Sequence, residues 1–307
     1  MKKTLLIGGA GYIGSHLKNS LLERGYEVAI LCRKMPDIQD TDVEYLVYPM
    51  DDMAALAEIL PQCSHVIHLA SATTPGTSAQ EPSTEVINNI LPTLRFLEVL
   101  QQHQHIHLIF ISSGGAIYGD IGEEFVGESN ILQPLSYYGA SKVTIETFLH
   151  AFQQQTTNKI TILRPSNIYG PNQPLKLHFG IVPTIFNHLI NSSVLEIWGD
   201  GETIRDYLYI DDFIALCLSV LQAADDSKGY RVFNAGSGHG YAINQICNLV
   251  ESITGKTIKR TYAESRRVDV KRIVLDSGYA ELEFEWKAST SIEQGLQNTW
   301  DYYLASD

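Results

Sequence analysis

Two side chains four residues apart are arranged for acid–base chemistry. They are Tyr138 and Lys142, in the run Ser136-Tyr137-Tyr138-Gly139-Ala140-Ser141-Lys142. On a helix, positions i and i+4 share a face, so a phenol and an ammonium converge. An unperturbed tyrosine, with a pKa of ~10, is a poor base at neutral pH, and a neighbouring cation lowers that value by favouring the phenolate. The spacing alone is common, and an ordinary surface pair is the plain alternative. Tyr137 has Ser141 at the same spacing and is not the candidate.

A second constellation lies at the N-terminus, where Gly8-Gly9-Ala10-Gly11-Tyr12-Ile13-Gly14 follows an apolar strand and opens a helix. Glycines at 8, 11 and 14 serve a tight turn, close approach of backbone to a pyrophosphate, and close helix–sheet packing. The helix N-terminus then offers unpaired N–H groups to the phosphates. This context points to a nicotinamide dinucleotide, whose cationic ring would favour the Tyr138 phenolate further. An acid that grips the adenine ribose is expected at the end of the second strand. That strand reads Ile30-Leu31-Cys32-Arg33-Lys34, with no acid. Arg33 and Lys34 suit a 2′-phosphate instead, so NADP is favoured over NAD; two solvated surface cations are the alternative.

The elements that must position these groups alternate through the first half. Strands are expected at 4–7, 28–31, 66–69, 107–112 and 160–163. Helices are expected at 15–24 (stopped by Gly25), 53–60, 86–101 and 137–154. Apolar strands between amphipathic helices mean a parallel sheet covered on both faces. The pattern changes near Tyr169-Gly170-Pro171, where we place a boundary. Beyond it come helices at 182–191 and 212–223, a strand at 195–198 and a Gly-rich turn at 236–240. The border is soft, because the later part can return chain to the first.

The formal net charge of −13 argues against a nucleic-acid partner, which needs clustered Lys and Arg. The four cysteines, at 32, 63, 217 and 247, include no C-x-x-C pair and read as buried free thiols in a reducing cytoplasm. No stretch is apolar and long enough to cross a membrane, and no metal is called for.

With these residues in place, the chain resembles the extended short-chain dehydrogenase/reductases, in their nucleotide-sugar epimerase branch. The resemblance runs nearly end to end. It rests on the turn at 8–14, His-Leu-Ala at 68–70, Asn-Asn at 88–89, Ser-Ser-Gly-Gly-Ala-Ile-Tyr-Gly at 112–119 and Tyr-Gly-Ala-Ser-Lys at 138–142. Leu-Arg-Pro-Ser-Asn-Ile-Tyr-Gly-Pro at 163–171, Gly-Asp-Gly-Glu-Thr-Ile-Arg-Asp-Tyr at 199–207 and Phe-Asn-Ala-Gly-Ser-Gly at 233–238 complete it. It implies an α/β fold, with a Rossmann-type doubly wound parallel sheet over residues 1–170. A smaller C-terminal α+β substrate domain follows over 171–307.

The resemblance also implies roles. Tyr138 is the acid/base and Lys142 bonds the nicotinamide ribose. Ser113 hydrogen-bonds the reacting oxygen, with Ser112 as the alternative. Leu69, Ala70, Asn89 and Pro165 join Gly8, Gly11, Tyr12, Ile13, Gly14 and Arg33 around the cofactor, while Asp51 is a weak contact and His68 a core residue. On the substrate side, Asn167 and Arg205 meet a nucleotide diphosphate, and Arg266 (or its neighbour Arg267) and Asp269 meet phosphate and ribose. Ile273 is intermediate in size where the epimerases limit space near the sugar C2 substituent, so hexose and N-acetylhexosamine both remain open.

Dehydratases and decarboxylases of this family carry an acid where Gly115 and Ala116 stand, so both chemistries are disfavoured. A GDP-fucose-forming relative carries a cysteine and a histidine where Ala116 and Gly180 stand. What remains is chemistry at one carbon: a 4-epimerase acting on a UDP- or dTDP-hexose, or a 4-keto reductase using the same residues once. A homodimer through the helices near 86–101 and 137–154 is implied as well.

Overall fold

The computed structural model describes residues 3–74, 79, 81–122, 124–175, 180–223, 229–265 and 270–306. The chain forms two compact units, neither continuous in sequence: Met1–Ser113 with Ser136–Arg164 and Cys217–Phe233, and Gly114–Leu135 with Pro165–Leu216 and Asn234–Asp307.

Along the chain run β1 (Lys3–Ile7), α1 (Tyr12–Glu23), β2 (Glu27–Cys32), β3 (Val43–Val47), α2 (Met53–Ile59) and β4 (Cys63–His68). Then come α3 (Leu91–Leu100), β5 (His107–Ile111), α4 (Tyr137–Gln155) and β6 (Lys159–Pro165). Next are β7 (Asn167–Tyr169), α5 (Ile181–Ile190), β8 (Leu195–Trp198), β9 (Ile204–Tyr209), α6 (Ile210–Gln222) and β10 (Tyr230–Ala235). Last come β11 (Gly240–Ala242), α7 (Ile243–Thr254), β12 (Arg260–Ala263), β13 (Arg272–Ile273), α8 (Gly278–Phe284) and α9 (Ile292–Ser306).

The main sheet has seven strands in the order β10-β6-β5-β4-β1-β2-β3. From β6 to β3 every pairing is parallel. The order reverses direction between β1 and β4, and such a switch point is where α/β sheets bind ligands, beyond the carboxyl ends of the strands. Strands buried on both faces read as continuous apolar runs. In β5, His107-Leu108-Ile109-Phe110-Ile111 is buried throughout. Leu5, Ile7, Phe96, Leu108, Phe110 and Ile160 belong to the core of this unit. The four cysteines are free and buried, as expected. No helix among the described residues is long and apolar enough to cross a membrane.

The main sheet has two strands beyond the five expected, β3 and β10, and one expected helix differs in form. β3 is a partly exposed edge strand whose Val43-Glu44-Tyr45-Leu46-Val47 lacks a clean alternation, so its apolar signal is weak. The expected helix at 86–101 is instead a π-helical turn, Val86–Ile90, running into α3. Pro92 stands in the first turn of α3. It has no N–H, and its ring crowds the carbonyl four residues back, so the regular ladder cannot continue through it. One turn back from Thr93, the Asn89 carbonyl accepts from Thr93 Oγ1 at 2.7 Å.

In the second unit, β9 pairs with β11, β13 and β7, and β12 pairs with β8. Asp206 holds this sheet from its buried side. Its carboxylate accepts from Ser237 N and Oγ at 2.8 Å, Ser166 Oγ at 3.1 Å and Leu275 N at 3.1 Å. Burial raises its pKa, and the Ser237 bonds oppose that shift.

Candidate active site

The glycine turn leaves β1 at the switch point. Gly8 has φ +81°, a conformation glycine adopts without strain, and a Cβ there would lie 2.8 Å from Ala70 Cα. Leu69 N donates to Ile7 O at 2.9 Å, which seats the Leu69–Ala70 segment beside the turn. A Cβ at Gly14 would run into Gly9, 2.6 Å from its carbonyl carbon. Gly11 differs: the nearest atom to a Cβ there is Gly8 O at 3.4 Å, so protein packing does not demand glycine at this exposed position. A ligand passing close to the backbone would demand it. Gly11 is also the N-cap of α1, with no side-chain cap and no acid in the first turn. The N–H groups at that end are therefore available to an anion, and the site fits a dinucleotide pyrophosphate. Tyr12 and Ile13, both half-buried, open the helix.

Arg33 follows β2 and is exposed, and it makes no ion pair among the described residues. Asp51 is half-buried and pairs with Arg95 Nη1 at 3.1 Å, so part of its charge is already met within the protein. Asn89 is buried; its Oδ1 accepts from Ala72 N at 2.8 Å and its Nδ2 donates to Thr73 Oγ1 at 2.8 Å and to Glu85 Oε2 at 2.7 Å.

The acid–base pair sits at the start of α4. Ser136 caps this helix, accepting from Gly139 N at 3.1 Å, which places Tyr138 in the first turn. The positive end of the helix dipole there favours a phenolate. Ser113, just past the carboxyl end of β5, hydrogen-bonds the Tyr138 side chain. Ser112 Oγ is buried and makes no hydrogen bond among the described residues. Lys142, one turn along, is 5% exposed, donates to Ile111 O at 2.9 Å and lies 5.8 Å from the Tyr138 ring centroid.

Tyr138's protonation departs from the sequence expectation. Burial dominates and pushes the phenol up to about 12; the Ser113 bond lowers it and the charge of Glu85 raises it further. Burial likewise brings Lys142 down to about 8, against the raising influence of Glu146 and Glu85. Burial thus opposes a phenolate here, and a further positive charge, such as an oxidised nicotinamide carries, would favour one. His68 is buried, bonds Thr93 Oγ1 at 3.2 Å, and is held neutral by burial, down to about 3. It is a core residue, not a proton carrier. Glu85 escaped the sequence reading; its only signal was a position four residues before Asn89.

In the second unit, β7 lies in register with β9 so that Asn167 opposes Tyr207. Tyr207 is two residues from Arg205, so Asn167 and Arg205 share one face of the sheet, opposite the Asp206 clasp. Arg205 is half-buried and donates to Ile204 O at 2.9 Å. A Cβ at Gly115 would lie 3.0 Å from Asn167 Oδ1, so that glycine leaves the amide its room. Pro165 ends β6 and is buried, and Ile273 is buried beside Arg205 on β13. Arg266 and Asp269 lie outside the described residues.

A switch-point glycine turn over a doubly wound sheet, with serine, tyrosine and lysine at the end of β5 and the start of α4, defines a nicotinamide-dependent enzyme. More specifically, the chain belongs to the NAD dependent epimerase/dehydratase family, whose model matches residues 4–236. This is the epimerase branch of the extended short-chain dehydrogenase/reductases. The chain is 28% identical to a putative UDP-glucose 4-epimerase of Methanocaldococcus jannaschii, over 95% of each chain. It is 27% identical to a dTDP-4-dehydro-6-deoxyglucose reductase of Escherichia coli, over 95% of this chain and 94% of that one. Among solved structures, UDP-glucose 4-epimerase of Thermotoga maritima with UDP-glucose superposes with a TM-score of 0.92, at 32% identity over 99% of each chain.

Proposed function

We propose that this protein is a nucleotide-sugar 4-epimerase that oxidises C4 of a UDP- or dTDP-hexose transiently and then reduces it on the other face. The observation that carries the reading is the Ser113–Tyr138–Lys142 set without a second acid at Gly115 or Ala116. One acid–base group serves a reversible oxidation and offers nothing for elimination.

In this reading the first unit supplies most of the cofactor contacts, and residues of the second meet the nucleotide diphosphate. Gly8, Gly11, Tyr12, Ile13 and Gly14 bind the pyrophosphate, with Leu69, Ala70, Asn89 and Pro165 along the rest of the cofactor and Asp51 as a weak contact. The bound dinucleotide supplies the acceptor and donor for hydride at C4. Tyr138 takes the proton from the 4-hydroxyl and returns it. Ser113 holds that oxygen with a hydrogen bond. Lys142 lends positive charge to the phenol and a donor to the nicotinamide ribose. Asn167 and Arg205 grip the diphosphate, the guanidinium in bidentate fashion, with Arg266 and Asp269 assigned to phosphate and ribose.

NAD accords with the family. Arg33, exposed where a ribose-binding acid would stand, supports NADP as the preferred form. The same arginine, together with the likeness to the reductase of Escherichia coli, favours a second reading as an NADPH-dependent 4-keto reductase. A homodimer is supported by exposed apolar side chains on two neighbouring helical segments: Val86, Ile87 and Leu91, and Phe148 on α4.

The experiment is the absorbance of the purified protein in the reduced-nicotinamide band, before and after UDP-hexoses or dTDP-4-keto sugars are added. Stoichiometric bound cofactor and C4 interconversion without added NAD(P)H support the epimerase. Consumption of NADPH by a 4-keto sugar, with no interconversion, replaces it with the reductase.

A further inference from the structure

Lys142 is buried near two carboxylates, and only one of them has a cation of its own. Glu146, a turn further along α4, is held by Arg164 of β6 through Nη2 at 2.6 Å and Nε at 3.2 Å. Both side chains are buried, so Lys142 faces a nearly neutral pair. Glu85 is different. It is 3% exposed, and its Oε2 accepts from Ser141 Oγ at 2.8 Å and Asn89 Nδ2 at 2.7 Å, both neutral donors. Its Oε1 is buried with no hydrogen bond, and no cation pairs with it among the described residues.

Among the described residues, the other titratable groups facing Lys142 are neutral. Tyr138 on α4 is a protonated phenol, and His68 on β4 is neutral. Glu85 is therefore the net counter-charge of the buried ammonium. It is also a mechanical tie. Ser141 stands between Tyr138 and Lys142 and shares its hydroxyl between Glu85 and Tyr138 O, the latter at 3.0 Å. Asn89, on the other side of Glu85, holds the Ala72–Thr73 segment after β4.

We propose that Glu85 is a positioning residue for this reaction: it fastens the Tyr138–Lys142 turn of α4 to Asn89 and supplies the uncompensated negative charge that Lys142 faces. The inference rests on the acid–base reading of Tyr138 and Lys142, but on no particular sugar. Its electrostatic consequence has one sign. A carboxylate at this place raises both the phenol and the ammonium, so removing its charge lowers both.

The test is the alkaline titration of Tyr138 with NAD⁺ present and no sugar. It is read as the ultraviolet phenolate difference between each protein and its Tyr138→Phe counterpart. Glu85→Gln keeps the shape and the acceptor oxygen but not the charge; it should move the midpoint about one pH unit lower. Glu85→Asp, which draws the charge back, should move it part of the way, and serves alone if Glu85→Gln does not fold. A residue that only braced the fold would lower the melting temperature and leave the midpoint in place. A folded, NAD-binding variant with the wild-type midpoint therefore overturns the proposal. If no ionisation disappears with Tyr138→Phe, the acid–base reading falls and takes the proposal with it. Failure to turn over any nucleotide sugar refutes the epimerase and leaves this result standing.

Discussion

Gly11→Ala and Gly14→Ala separate binding from packing within one turn. A Cβ at residue 14 would sit 2.6 Å from the Gly9 carbonyl carbon, against the 3.0 Å below which such contacts essentially do not occur. The atom it meets is backbone and cannot swing aside, so the turn must open by about half an ångström, at the roughly 1–3 kcal/mol of an overpacked site. Gly14→Ala should lower the melting temperature and also weaken NAD binding, by about 5- to 150-fold if that whole cost falls on the binding geometry. At residue 11 the nearest atom is 3.4 Å away and φ is −82°, so a methyl group is tolerated by the fold. Replacing an N-cap glycine costs stability less than about 1 kcal/mol. The methyl group would stand where the pyrophosphate approaches, so affinity should fall at least about tenfold, the loss of one good hydrogen bond to a charged group. Calorimetric titration with NAD and thermal melts of both variants are the assay. Wild-type affinity in Gly11→Ala would refute the assignment of that backbone to the pyrophosphate. Equal stability losses in the two variants would refute the packing argument.

Other perturbations follow from the same geometry. Tyr138→Phe should cut turnover by roughly 10²- to 10⁴-fold while NAD affinity stays within a few-fold, read by steady-state kinetics and titration. Arg33→Asp should weaken NADP far more than NAD; equal changes in the two dissociation constants would refute a 2′-phosphate contact. Lys142, at about 8 when folded against an ordinary 10.5, binds fewer protons folded than unfolded between those values, so its contribution to stability rises with pH across that window. Melts from pH 8 to 10 should accordingly show the wild type gaining on Lys142→Met, and a constant difference would contradict the buried ammonium. Phe148→Glu places a charge on an exposed apolar side chain and should dissociate a dimer built on α4. Sedimentation reads the mass, and a monomeric wild type would remove that interface.

The parts of the site that obey local rules were legible in the sequence. Gly8, Gly11 and Gly14 are set by the turn itself, and Tyr138 and Lys142 by helical spacing. The buried strands β1, β4 and β5 announce themselves as continuous apolar runs. What stayed hidden depends on three-dimensional surroundings. The direction of the Tyr138 shift turns on burial outweighing the Ser113 hydrogen bond, and spacing carries no information about burial. Glu85 looks like a solvated residue beside Ser83 and Thr84, yet it is buried against Asn89 and Ser141. The short strands of the second unit, such as Asn167–Tyr169 and Gly240–Ala242, are below the length at which period-two alternation is readable.

Gly115 bears on how such a chain can drift between chemistries. Relatives that eliminate water carry an acid at this place or the next. Here any side chain at 115 begins 3.0 Å from Asn167 Oδ1, so its first carbon presses on the amide proposed to grip the diphosphate, which must give by a few tenths of an ångström. A lineage gaining an acid there would loosen its hold on substrate before it gained a new reaction. Ala116 already carries a Cβ, so the open mutational path runs through that neighbour, and descendants of this enzyme are expected to diversify there first.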